Sequence, residues 1–319
     1  MKPAQFDYIA PTTIDEVAAA LAAAEGDGKI IAGGQSLMPM IIFRLVKPTI
    51  LIDINRVAGL DRIELHGDRV RIGATVRHHT TATDAIIRQH LPIVHEAMHH
   101  VAHMTVRNRG TFCGSVAHAD PATEMPMMTR FLDGTVIAYS QRGRREIPAA
   151  EFFVGSLVNS LEPDEFVIRV ELDAMRPGAG WGFEEFAKRH GDFALACFAT
   201  TLHCVDGMAS DVRVGMMGVG ETPLRLEEIE GIIEGTEVSE PVLDMVADRL
   251  AGILTPNTDI HASADFRRHL SGVLAKRALR AAWSRAKPRK ASSNMSEKTI
   301  TVGVQRRGYD AHDRKQERW

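Results

Sequence analysis

The stretch that most constrains this chain is Lys29 to Leu45, KIIAGGQSLMPMIIFRL. It reads as a short apolar strand ending at Ala32, a tight loop Gly33-Gly34-Gln35-Ser36, and a helix to about Val46. Pro39 stands near the helix start, where its fixed φ is tolerated and its missing N–H costs little. Adjacent glycines take backbone angles that a Cβ forbids, so successive N–H groups can turn toward one ligand. With the positive end of the following helix, the loop makes an anion cradle suited to a diphosphate. A strand-to-helix turn without a ligand satisfies the same residues, and the loop alone leaves both readings open.

A chain of 319 residues suits two domains. Hydrophobic residues make up 45% and charged residues 25%, with a formal net charge of −3, so no basic bias points to nucleic acid. Cys113, Cys197 and Cys204 are too few for a disulfide framework or a four-thiolate cluster, which makes a reducing cytoplasm the expected compartment. Met1 to Phe6 carries no basic-then-apolar leader, and no apolar run approaches the roughly 20 residues of a membrane span, so no membrane insertion is expected.

Along the chain, Thr12-Thr13-Ile14-Asp15-Glu16 predicts a capped helix through Ala24, and Ile50 to Ile54 a buried strand. No Gly-x-Gly-x-x-Gly follows a strand, so a Rossmann fold is unsupported. Val70 to Ala74 alternates as a strand, and Thr80–His90 and Pro92–Met104 read as two helices. In the second, Val94, Ala97, Met98 and Val101 form a core stripe, with His95, Glu96, His99, His100 and His103 opposite. His95-Glu96-x-x-His99 matches the zinc-peptidase pattern, a rival reading that lacks an obvious third ligand and a shielded cleft.

The second dense stretch is Thr105 to Pro126, TVRNRGTFCGSVAHADPATEMP. A basic turn leads into small residues Thr111 to Ser115, then an extended piece to Ala119, a turn at Asp120-Pro121, and a helix from Ala122 to Phe131 with Glu124 in its first turn. Gly134–Tyr139, Arg145–Pro148 and Phe166–Leu172 read as strands. Arg176 to Gly180 is the expected domain boundary, Asp206-Gly207 a hairpin turn, and Leu224–Glu234, Glu240–Ala251 and Ala264–Trp283 helices. The last helix carries Arg267, Arg268, Lys276, Arg277 and Arg280, a solvated face or a docking surface.

AGGQSL before a helix, followed by RNRGTFCGSVAHADPATEMP, resembles the FAD-binding medium subunit of molybdenum hydroxylases, the carbon monoxide, nicotine, caffeine and quinoline dehydrogenase group related to xanthine dehydrogenase. The likeness continues through GWGFEEFAKRHGDFALA, GVGETPLR and DIHASADFRRHLSGVLAKRAL, and covers about Met1 to Trp283. It implies an α+β protein: a PCMH-type FAD-binding domain of two α/β subdomains over 1–176, then a C-terminal α+β domain with an antiparallel sheet and helices over 177–286. It further implies that FAD is held by Ile30, Ile31, Ala32, Gly33, Gly34, Gln35, Ser36 and Leu37 on one side. Thr111, Phe112, Cys113, Gly114 and Ser115 would supply the second loop, with Val101 and Ala102 lining the approach. Glu124, where the family usually has aspartate, would bond ribose hydroxyls; Val167 would pack near the flavin; Phe183 and Lys188 would close over it. No catalytic residue and no metal ligand is expected on this chain. The implied role is electron transfer, from iron–sulfur clusters on a small partner subunit, through FAD, to an external acceptor, with molybdopterin on a large partner subunit.

One departure is Cys113, which replaces the first glycine of the family's usual pair; were φ positive there, cysteine would be strained. A subunit that has lost FAD is therefore one alternative, and a self-contained FAD reductase is another. From Arg285 to Trp319 the chain has ten Lys/Arg against four Asp/Glu, and 287–319 reads as a disordered basic tail. Within it, Met295 to Val302 resembles the opening strand of an iron–sulfur subunit, as a fused or frame-shifted junction would produce.

Overall fold

The computed structural model describes residues 2–290; the Met295–Val302 segment and the rest of the basic tail lie outside the described residues. The chain opens with β1 (Asp7–Ile9), α1 (Ile14–Ala23), β2 (Gly28–Ile31), α2 (Leu37–Ile42) and β3 (Ile50–Asp53). The three strands make a parallel sheet ordered β1-β3-β2. α1 begins at a capping box: the Thr13 hydroxyl accepts from the Glu16 N–H, and the Glu16 carboxylate accepts from the Thr13 N–H. Its Val17, Ala18 and Leu21 are buried.

A second subdomain follows, containing β4 (Ile63–His66), β5 (Arg69–Gly73) and the short helices α3 (His78–Thr83), α4 (Ala85–His90), α5 (Pro92–Ala97), α6 (Met104–Arg107), α7 (Phe112–His118) and α8 (Glu124–Phe131). It closes with β6 (Thr135–Ser140), β7 (Gly143–Pro148), α9 (Ala149–Phe152), the β8 (Phe153–Gly155)–β9 (Val158–Asn159) hairpin and β10 (Phe166–Asp173). Its five-stranded sheet, β4-β5-β10-β6-β7, is antiparallel throughout, so this half is α+β where the sequence reading expects α/β. Both long helices expected here are interrupted. Asp84 breaks the first, because its carboxylate caps α4 through the Ile86 and Ile87 N–H groups. The second stops at Ala97, and the chain turns through Ala102, whose φ is +41°, before α6.

The C-terminal part consists of β11 (Gly180–Phe186), β12 (Ala196–Val205), β13 (Met208–Met217), β14 (Leu224–Arg225), α10 (Glu227–Ile233), α11 (Glu240–Ile253), α12 (Ala264–Arg285) and β15 (Pro288–Arg289). β11 to β14 pair antiparallel in chain order, and Asp206-Gly207 turns the β12–β13 hairpin with both φ values positive. β12 is buried on both faces, which explains why ACFATTLHCV lacks alternation. Cys197 and Ala199 join the core of the first domain, whereas Ala196, Phe198 and Leu202 join a second core with α10, α11 and α12. The sheet is thus the shared wall between two cores, and it places β11 and its following loop against the first domain.

Two expectations change here. β15, inside the segment read as tail, pairs parallel with Cys204 and Val205 of β12. The basic residues of α12 are largely committed within the domain: Arg267 is buried and donates to the Leu195 and Gly218 carbonyls, while Arg268, Lys276 and Arg280 pair with Asp265, Asp244 and Glu240.

Candidate cofactor-binding cleft

β2 runs straight into the Gly33–Ser36 bend, and the geometry there depends on both glycines. Gly34 has φ +69°, and a Cβ on Gly33 would lie 2.4 Å from the Arg109 carbonyl oxygen and 2.7 Å from the Gly110 Cα. The second bend therefore touches the back of the first, main chain against main chain. Among the described residues, the N–H groups of Gly33, Gly34, Gln35 and Ser36 donate to no protein acceptor. Four consecutive free donors on one bend are a costly arrangement without an acceptor and an anion nest with one.

Side chains missed by sequence reasoning lock the two bends together. Arg77 donates to the Arg109 carbonyl and, at 2.6 Å, to the Asn55 Oδ1; Asn55 donates at 2.8 Å to the Ala32 carbonyl. Asp53 Oδ1 orients Asn55 at 2.6 Å and Oδ2 accepts from the Tyr8 hydroxyl at 2.6 Å. Asn55 and Arg77 belong to no motif; only their position just after β3 and before α3 marks them.

The two bends line a single cleft of about 770 Å³, within the range of about 300–1,000 Å³ usual for small-molecule sites. Ile30 to Leu37, Val101, Ala102, Thr111, Cys113, Gly114, Ser115, Glu124 and Val167 all line it. Three expected contacts lie elsewhere. Phe112 is fully buried in the core behind α7. Phe183 is buried on β11, with its ring 5.0 Å from that of His100. Lys188 is 3.5 Å from His261 Nδ1 at the surface. From the C-terminal domain the cleft receives Gly191, Asp192 and Phe193 instead.

The second bend is a helix start, not a loop followed by an extended piece. Thr111 caps α7, its hydroxyl accepting from the Gly114 N–H at 3.0 Å. Cys113 sits in the first turn with ordinary helical backbone, so the anticipated strain is absent. Its thiol is buried against the Ile72 carbonyl at 3.3 Å, and burial pushes its pKa upward, keeping it protonated and inert.

Burial sets the charge state of the cleft. His78 is held neutral, its pKa pushed down to about 4 by desolvation and by the Arg107 charge. Glu124, at the start of α8, is pushed up to about 7, chiefly by desolvation, with the nearby Asp120 adding to the rise. The histidine pattern on α5 has a different use. α5 ends before His99, and Glu96 accepts from Trp181 Nε1 at 2.8 Å and Arg285 Nη1 at 2.9 Å, latching the two domains. Among the described residues no group of three or more His, Cys, Asp or Glu is arranged to hold a metal ion.

An α+β chain whose first domain bends two backbone segments around one cleft of this size has room for a dinucleotide cofactor without a Rossmann fold. Residues 4–173 match the FAD binding domain in molybdopterin dehydrogenase, and residues 181–282 match the CO dehydrogenase flavoprotein C-terminal domain. The chain belongs to this FAD-binding medium-subunit family of molybdenum-dependent dehydrogenases. It is 39% identical to the 6-hydroxypseudooxynicotine dehydrogenase complex subunit alpha of Paenarthrobacter nicotinovorans, over 92% of this chain and 99% of that one. It superposes on carbon monoxide dehydrogenase of Hydrogenophaga pseudoflava with a TM-score of 0.87 at 34% identity, covering 90% of this chain and 100% of the other. For quinoline 2-oxidoreductase of Pseudomonas putida 86 the TM-score is 0.85 at 36% identity, covering 89% and 99%.

Proposed function

We propose that this chain is the FAD-carrying, electron-transfer subunit of a molybdenum hydroxylase, working with a large molybdopterin-binding subunit and a small iron–sulfur subunit in the cytoplasm. The observation that carries this reading is that Gly33 to Ser36, whose four N–H groups have no protein acceptor among the described residues, line a cleft of about 770 Å³. A Cβ at Gly33 would fill the junction of the two bends, so the residues present fit a diphosphate held by main chain.

When bound, FAD supplies a carrier able to exchange electrons with clusters and acceptors that the protein side chains cannot match. The chain's own contribution is binding and orientation. Gly33 to Ser36 would grip the diphosphate by N–H groups, and the first turn of α7 would close the opposite wall through Gly114 and Ser115. Glu124 would accept from ribose hydroxyls, while Val101, Ala102 and Val167 would exclude water from the ring. The neutral His78, packed against Gly110 beside the bends, adds no charge to the cleft there. We assign 1–176 to FAD binding and 177–286 to the flavoprotein C-terminal domain, whose Gly191–Phe193 loop caps the cleft.

The test is the visible spectrum of the purified full chain. A flavin absorption band in the visible, with released FAD equimolar to protein and no molybdenum, supports the reading. A colourless chain that takes up no added FAD refutes it.

A further inference from the structure

The start of α8 lies against the C-terminal sheet: the Ala194 N–H donates to the Ala122 carbonyl at 3.4 Å and the Leu195 N–H to the Phe186 carbonyl at 2.8 Å, which brings Glu124 into the neighbourhood of a second carboxyl, Glu185. Glu185 projects from β11 toward the seam, its Oε2 fully buried with no hydrogen-bond partner. Glu124 is the charged neighbour acting on it, and both also act on the buried Cys197, directly opposite Glu185 on β12. Glu184, the preceding residue, points to the opposite face of β11, among Arg277, Arg285 and Glu96. Around Glu124 act the charges of Asp120 and Arg107; α7 ends in His118. β13 and β14 bring Arg213 and Arg225, both held by Asp133, and α9 brings the exposed Glu151. Among the described residues, none of these cations is paired with Glu185.

A bare carboxylate oxygen buried without a donor is costly, and two carboxylates sharing one buried site cannot both stay charged. One proton between them removes both costs. Resting on the cofactor reading above, we propose that Glu185 is a positioning residue: it retains a proton and donates it as a hydrogen bond across the domain seam to the Glu124 carboxylate, aiming the remaining Glu124 lone pairs at the hydroxyls of the bound dinucleotide. Burial, together with the Glu124 charge, pushes the Glu185 pKa up to about 9, which keeps that proton in place at neutral pH. The C-terminal domain in this way contributes to cofactor affinity through a carboxyl that does not line the cleft.

The experiment uses the full chain as wild type, Glu185→Gln and Glu185→Leu, with FAD as the probe. FAD Kd from fluorescence quenching and Tm of the ligand-free chain are followed from about pH 6 to pH 10, spanning the pair's titration range. Wild type is expected to lose FAD affinity about tenfold above pH 9, as proton loss puts two charges at the seam. The Gln variant, whose amide still donates, should match wild type at pH 7 and stay flat. The Leu variant should bind about tenfold more weakly at every pH. The ligand-free wild type should also lose Tm relative to the Gln variant as pH rises, because a raised carboxyl pKa makes the folded state shed stability up to that pKa. A Gln variant that copies the wild-type pH profile, or a Leu variant that binds FAD like wild type at pH 7, overturns the inference. If no variant binds FAD, the cofactor reading falls, and superimposable Tm profiles separately refute the shared proton.

Discussion

Gly33→Ala is a small change with a consequence that can be worked out in advance. The added methyl would sit 2.4 Å from the Arg109 carbonyl oxygen and 2.7 Å from the Gly110 Cα, both main-chain atoms. No rotamer relieves this, so the bends must part by roughly 1 Å to restore ordinary contact. Arg77 and Asn55 resist that movement, because they tie the Arg109 and Ala32 carbonyls into one network. The strain itself should cost about 1–3 kcal/mol of stability. Its effect on binding is larger in kind. A 1 Å displacement takes at least one N–H group out of reach of a phosphate oxygen, and a hydrogen bond to a charged group is worth about 1.5–3 kcal/mol. At about 1.4 kcal/mol per decade, FAD Kd rises roughly 10- to 100-fold. The assay is fluorescence titration of the full chain with FAD, with thermal unfolding run alongside. Gly231→Ala is the control, since nothing lies within 4 Å of its Cβ position in α10. A folded Gly33→Ala protein that binds FAD as wild type does would refute the reasoning.

Three further outcomes follow from the same geometry. Cys113→Gly should lose about 2–3 kcal/mol, from a poorer helix former and a lost buried side chain, with FAD affinity unchanged; a tighter FAD Kd would mean that the cysteine does crowd the cleft. His78 is held neutral in the fold, with its pKa depressed to about 4, so it binds protons more readily unfolded, and stability is lost as pH falls from about 6.5 through 4. Complete titration amounts to at most about 3 kcal/mol, and urea unfolding of His78→Gln at pH 5 against pH 7 should show a correspondingly smaller acid loss. Glu96→Ala removes the acceptor shared by Trp181 and Arg285; with both ion-pair partners about a third exposed, roughly 1 kcal/mol is expected, read as a Tm decrease with no change in metal content by elemental analysis.

Much of the cleft is legible along the chain because its critical parts are local. β2, its glycine bend and α2 are contiguous, and the motif that marks them is also the part that would hold the diphosphate. Reading fails where tertiary packing overrides local preference. Thr111-Phe-Cys-Gly-Ser contains weak helix formers, yet it is helical because Phe112, Cys113 and Val116 are buried and Thr111 caps the turn. The periodicity from Pro92 to Met104 suggests one helix, but the chain must turn at Ala102 to meet Gly191 of the other domain, a contact invisible from spacing. Asn55, Arg77 and Glu185 act across 20 to more than 60 residues of sequence separation and carry no local pattern, so only the folded chain reveals them.

The central claim is that two main-chain bends hold one FAD between them. A crystal structure of the FAD-loaded chain tests it most directly. The account predicts diphosphate oxygens within about 2.7–3.2 Å of the N–H nitrogens of Gly33 to Ser36, with the first turn of α7 on the opposite wall. FAD bound elsewhere, or a diphosphate held by side chains while those four N–H groups stay empty, would contradict it.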